Sequence, residues 1–182
     1  MRTIRVTLPL AEEIVEDLKA GDEVLINGTI YTARDAAHQR LVNLIRENKP
    51  LPFSLKDQVF YYTAPTPPKP GRPFGSCGPT TSCRMDKYTP LLLSRGVKGM
   101  IGKGQRSDEV REAIKKYKAV YFLALGGAGA YLSRKVKRAE AVAFIDLGPE
   151  AIYKLWVEDF PVIVGIDTRG EDVYQFTLRR KG

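Results

Sequence analysis

The stretch V97-KGMIGKGQRSDEVREAIKKYKAVYFLA-L125 decides how this chain folds. VKGMIG (97–102) is a short apolar run that reads as a buried strand. Ser107 then opens SDEVREAIKKY (107–117). Serine is a favoured N-cap, two acids occupy the first turn and lysines the last, as the helix dipole prefers. AVYFLAL (119–125) is again continuously apolar, so strand, helix and strand follow one another. That alternation predicts the α/β class, with sheet layers covered by helices.

Working outward, residues 2–8 read as a strand with Ile4, Val6 and Leu8 alternating, and 11–18 as a short helix or turn. EVLINGTIYTA (23–33) reads as strand, with Asn27-Gly28 a hairpin signal in its middle. Ala37, Leu41, Leu44 and Ile45 recur at helical spacing and predict a helix over 34–47, stopped by Pro50 and Pro52. VFYYTA (59–64) is β-branched and aromatic, a strand. PTPPKPGRPFGSCGP (65–79) is irregular and reads either as a spacer or as a binding loop. A helix is expected over 81–95, with a break or restart at Thr89-Pro90. Beyond Leu125 the expectations are a helix over 130–136, a strand over 141–147, a short helix near Pro149, and a closing hairpin of 162–167 and 172–178 around Thr168-Arg169-Gly170. The 182 residues fit one domain, 1–182.

Composition narrows the function. The chain is 43% hydrophobic, which excludes wholesale disorder. No apolar run reaches the ~20 residues of a membrane-spanning helix, and the N-terminus has no signal-peptide pattern, so a cytoplasmic protein is expected. Lys and Arg number 29 against 21 Asp and Glu, a net +8 that favours anionic partners. The densest basic runs, 134–138 and 179–181, lack interleaved aromatics, a weak nucleic-acid footprint. Cys77 and Cys83 with the single His38 cannot complete a zinc site or hold an iron–sulfur cluster alone.

Four segments carry candidate groups. In ARDAAH (33–38), Arg34 and His38 share a helix face at its start, an anion-binding arrangement. In GSCGPTTSCRMD (75–86), Thr80, Thr81 and Ser82 meet a helix start with Arg84 a turn later. That set suits a carboxylate or phosphate; N-capping by Thr80 or Thr81 is the plainer reading. In GKGQRS (102–107), Lys103 follows a strand and can enter the cleft beyond its carboxyl end. It does not match a Walker A loop. LGGAGA (125–130) has Leu132 where a dinucleotide fingerprint needs glycine, and reads as a tight strand-to-helix turn. Arg34, Arg84 and Lys103, with a hydroxyl cluster, can neutralise a dicarboxylate or a phosphate ester. No triad, carboxylate pair or complete metal set accompanies them.

GTIYTARDAAH (28–38), GPTTSCRMD (78–86), MIGKG (100–104) and EAIYKLWVEDFP (150–161) resemble the β subunit of two-subunit class I fumarate hydratases and L(+)-tartrate dehydratases. The resemblance runs from about residue 3 to 178 and implies a swivelling β/β/α domain. It implies a hydro-lyase whose [4Fe–4S] cluster is held by three cysteines of an α subunit, in an α2β2 assembly acting on a C4 dicarboxylate. The open iron of such a cluster is a Lewis acid toward the substrate. The family's functional positions fall on Arg34, Thr80, Arg84 and Lys103, with Thr80 as base. Thr81 is expected to join Arg34, Arg84 and Lys103 in binding substrate, with His38 and Asp86 in support and no metal ligand in this chain. Fumarate is the expected substrate and tartrate the alternative. A basic nucleic-acid or phosphate-binding module is the reading from a different class.

Overall fold

The computed structural model describes residues 2–179. Elements run β1 (Thr3–Thr7), α1 (Glu12–Asp17), β2 (Glu23–Thr32), α2 (Asp35–Arg46), β3 (Val59–Tyr61), a 3₁₀ turn (Ser82–Met85) and α3 (Thr89–Ser94). They continue β4 (Gly99–Gly102), α4 (Asp108–Tyr117), β5 (Val120–Leu123), α5 (Gly129–Ser133), β6 (Val136–Ala143), a 3₁₀ segment (Ile145–Glu150), β7 (Ile152–Ile166) and α6 (Val173–Arg179).

β2, β3, β4 and β5 are parallel neighbours. β7 runs antiparallel to both β5 and β2 and so closes the sheet into a barrel, with β1 and β6 flanking. The α/β class therefore holds, and the expected layers are parts of one closed sheet. Side chains alternate across each strand. Val59, Tyr61, Ile101, Val120 and Phe122 share the inner core with Ile26, Ile30, Leu155 and Val164. Phe60, Met100 and Tyr121 face the other way, against Leu41 and Ile45 of α2, Leu92 of α3 and Ile114 of α4.

The decisive stretch folds as read. Ser107 Oγ accepts the Val110 amide at 3.2 Å, and α4 ends at Lys118 in the left-handed region. The expected helix over 81–95 is broken, with Pro90 in the first turn of α3.

Several expectations fail for identifiable reasons. Asn27-Gly28 makes no hairpin; β2 continues through it. The register against β7 slips there, from Ile26 opposite Phe160 to Gly28 opposite Val157, so the extra residue lies on β7. Asn27 holds that bulge: its Oδ1 accepts the Asp159 amide at 3.0 Å. Gly28, at φ 113°, lies so close to Leu8 that an added Cβ would meet the Leu8 Cβ at 3.2 Å. Turn chemistry has been used for a bulge. The closing hairpin has its turn and one bridge, Ile166 to Asp172, but the chain then forms α6, not a strand. Asp172 Oδ1 accepts the Tyr174 amide at 2.9 Å and starts that helix. The helix expected over 130–136 ends at Ser133, and the strand expected over 141–147 begins at Val136 and ends at Ala143. Exposed Lys137, Arg138 and Glu140 hide β6 from a hydrophobic pattern. Residues 152–161, unread as strand, form the first two-thirds of β7. No helix among the described residues is long and apolar enough to cross a membrane.

Candidate active site

The carboxyl ends of β2, β3 and β4 lie side by side, and the sequence places a candidate group just beyond each. Arg34 follows β2 and is the residue from which α2 starts. Tyr62 follows β3, and its carbonyl accepts the Thr80 amide at 2.7 Å. Lys103 follows β4 and forms a parallel bridge with Thr81. The Ser82 amide donates to the Lys103 carbonyl at 2.9 Å, and the Lys103 amide to that of Thr80 at 3.4 Å. Adjacent strands are ~4.8 Å apart, so β2 and β4 stand about 10 Å from each other, a gap that Arg and Lys side chains can span. Ligands of α/β folds occupy this kind of crevice.

Arg34 and Arg84 are brought together by Asp35. Arg84 Nη2 lies 3.0 Å from Asp35 Oδ2, and Arg34 Nε lies 3.9 Å from both Asp35 Oδ2 and Glu150 Oε1. At 3.9 Å there is no hydrogen bond, so Arg34 Nε and Glu150 Oε1 are buried without a hydrogen-bond partner, while Asp35 Oδ2 has the Arg84 ion pair but no hydrogen bond of good geometry. Arg34 Nε thus lies between two carboxylates without a hydrogen bond to either. Adding up cations from the sequence overlooked Asp35 and Glu150, which counter the charge of the two arginines. Lys103 and Thr81 are exposed and Thr80 is half-buried. Thr81 flanks the 3₁₀ turn without a capping hydrogen bond from its side chain, so simple capping does not explain it.

His38 is buried beneath this site, against the rings of Tyr62 and Tyr88. Its Nδ1 lies 2.7 Å from the Arg34 carbonyl oxygen, which can only accept. Nδ1 therefore carries the proton, and Nε2 is a lone pair with no partner. Burial pushes the imidazole down to about 4, so it is neutral near pH 7.

Asp86 does not join the clamp. Its Oδ1 accepts Arg106 Nε at 2.6 Å and its Oδ2 the Ser107 amide at 2.8 Å. Arg106, buried, also donates to Thr89 Oγ1 at 2.8 Å and lies over the rings of Tyr62 and Tyr121. Burial opposes its charge, but Tyr62, Asp86 and Tyr121 together hold its pKa above the ordinary arginine value. The Tyr121 hydroxyl donates to the Gly104 carbonyl at 2.8 Å and lies 2.9 Å from Ser82 Oγ. Sequence reasoning missed Arg106, Tyr121, Asp35 and Glu150. Arg106 stood inside the GKGQRS segment, but no local pattern says that an arginine is buried.

Among the described residues, no three His, Cys, Asp or Glu side chains gather as a metal-ligand set. Cys77 is buried, its thiol pushed up to about 12 by burial, and the chain's two cysteines fall short of the three or four thiolates a cluster takes. Cys83 is exposed and has no second cysteine beside it. These residues do not fit an iron–sulfur cluster.

The model of the fumarase C-terminus family matches residues 1–177. The chain is 43% identical over 158 residues to the anaerobic class I fumarate hydratase of Escherichia coli (strain K12), covering 86% of this chain and 29% of that protein. It is 39% identical over 160 residues to fumarate hydratase 2 of Leishmania major, covering 87% and 28%. It is 38% identical over 172 residues to a putative L(+)-tartrate dehydratase subunit beta of Methanocaldococcus jannaschii, covering 91% and 88%. The chain thus spans under a third of the length of the two fumarate hydratases. The family model matches nearly the whole length, and relatives agree with it: the chain belongs to the fumarase C-terminus family.

Proposed function

We propose that this chain, acting as one domain, is the β-type subunit of a cytoplasmic hydro-lyase that interconverts fumarate and (S)-malate in the tricarboxylic acid cycle. Its [4Fe–4S] cluster is held by an α subunit, in an α2β2 assembly. What carries the reading is the row of Arg34, Thr80 with Arg84, and Lys103 beyond three adjacent parallel strands. The relatives named fumarate hydratase support the reaction class, and the one named a subunit beta supports a separate partner chain.

Each residue then has a part. Arg34 and Arg84 hold the substrate carboxylates, since a guanidinium matches a carboxylate bidentately. Lys103 and Thr81 bind from the β4 side of the crevice. In the dehydration direction one carbon loses a proton and its neighbour a hydroxide, leaving the double bond. Thr80 takes the proton from the carbon next to a carboxylate. A threonine alkoxide needs positive charge close by in a dry site, and Arg84 and Lys103 are the sources. Tartrate is the second candidate, favoured by the Methanocaldococcus relative. Malate and tartrate share one C4 dicarboxylate skeleton and differ by a hydroxyl, which a site can discriminate.

Anaerobic co-expression with the cluster-bearing chain, followed by assays on fumarate, malate and tartrate, tests the proposal, with this chain alone as control. The expected result is turnover of fumarate and malate by the complex and none by the chain alone. A complex inert toward all three, or retention of the chain on nucleic acid that falls steeply with salt, overturns it.

A further inference from the structure

We propose that Arg106 is a positioning residue that fixes the two loops of the site, 80–86 and 102–107, as one rigid body. The inference rests on the functional reading above and deepens it. The first loop carries Thr80 and Arg84, the second Lys103, and the chain between them passes through α3 and β4. The Thr81–Lys103 bridge joins the loops at one point, and Arg106 joins them at a second, through Asp86. A displacement of about 1 Å in a reacting group can cost on the order of 100-fold in rate.

Arg106 reaches the first loop directly through Asp86 and packs against three residues that border the loops, Thr89, Tyr62 and Tyr121. Its Nε donates to Asp86 Oδ1, while the other oxygen of that carboxylate takes the amide of Ser107. One acid of the first loop thus holds two donors of the second. Nη2 reaches Thr89 Oγ1 at 2.8 Å and the Tyr62 hydroxyl at 3.4 Å. The guanidinium lies 5.3 Å from the Tyr62 ring centre and 4.9 Å from that of Tyr121. Tyr62 carries Thr80 on its carbonyl, and the Tyr121 hydroxyl touches Ser82 of the first loop and Gly104 of the second. The Arg106 side chain is fully buried and that of Asp86 is 14% exposed. A buried ion pair adds little net stability over apolar packing of the same volume. Its directional hydrogen bonds fix position, which apolar packing does less sharply.

Hydrogen exchange and steady-state kinetics of Arg106→Met and Arg106→Lys test this. Exchange is read on the chain itself, kinetics on its complex with the cluster-bearing partner. In Arg106→Met the amides of Ser82, Lys103 and Ser107 are expected to exchange at least about tenfold faster, with those of β2 and α2 unchanged. Its kcat is expected to fall about 100-fold and its KM to change by less than about tenfold. Arg106→Lys keeps the charge and is expected to recover part of kcat. If Arg106→Met does not fold, the isosteric Asp86→Asn is read in the same way. Unchanged exchange in both loops, uniformly faster exchange through the barrel, or a kcat within about threefold of wild type overturns the proposal. A wild-type complex that turns over no C4 dicarboxylate instead refutes the function, and the exchange result alone then decides the role of Arg106.

Discussion

Asp35 sits between the two arginines of the clamp, 3.0 Å from Arg84 and 3.9 Å from Arg34. In the proposed function a substrate carboxylate displaces Asp35 from Arg84, whereas Arg34 Nε, 3.9 Å from two carboxylates, has no hydrogen bond to give up. Of the roles proposed above, that of base for the Thr80 hydroxyl is the most demanding, because an aliphatic hydroxyl is a weak base at neutral pH. Thr80→Ala is expected to lower kcat of the assembled enzyme by about 100-fold or more, a typical span for a general base, while Thr80→Ser retains most of it. Near-normal kcat in the alanine form rejects the role. His38 makes a separate, thermodynamic prediction. Its pKa is about 4 in the folded chain against an ordinary 6.5, so between those values the unfolded chain binds a proton that the folded chain does not. Stability therefore falls as pH drops through that window, by roughly 3 kcal/mol at full extent. Urea unfolding of the chain at pH 7 and pH 4.5 measures it. In His38→Asn the loss over that interval is expected to be smaller, since the carboxylates contribute equally to both proteins.

At the scale of elements, the site depends on close approach between β4 and the 3₁₀ turn. A Cβ added to Gly102 would lie 1.9 Å from Ser82 Oγ and 2.9 Å from Tyr62 Cδ2. Gly102→Ala is expected to cost about 1–3 kcal/mol, read as a lower urea midpoint, and to depress activity by moving Ser82. A midpoint equal to wild type would mean that the 80–86 loop shifts without cost. The strands and helices around this junction were legible because β4, α4 and β5 are short, strongly patterned and capped by Ser107. β6 and the first part of β7 were not. Lys137, Arg138 and Glu140 point outward from a strand with few apolar neighbours, and Arg138 is held by stacking 4.4 Å from the Trp156 ring, a contact no pattern records. Asn27-Gly28 misled because the same turn chemistry serves a hairpin or the partner of a bulge. Arg34, Thr80, Arg84 and Lys103 were readable as charge and hydroxyl next to strand ends. Arg106 and Glu150 were not, because burial and approach across the fold decide what they do.

For the whole molecule, one device sets the site: β7 closes the sheet by pairing with β2 and β5 at once. That closure brings Glu150, just before β7, to the end of β2, beside Arg34. The carboxyl ends of β2, β3 and β4 are aligned, with Arg34 and Lys103 following β2 and β4. Among the described residues no group of three His, Cys, Asp or Glu side chains gathers as a metal-ligand set. The most direct measurement is the initial rate of malate formation from fumarate when this chain is combined anaerobically with the proposed cluster-bearing subunit, wild type against the Arg34→Gln/Arg84→Gln double variant. Hydrogen bonds to charged groups are worth ~1.5–3 kcal/mol each, so the double variant is expected to bind the partner normally and to lose about a thousandfold in kcat/KM. A double variant that assembles and keeps its rate within a few-fold of wild type would contradict the account.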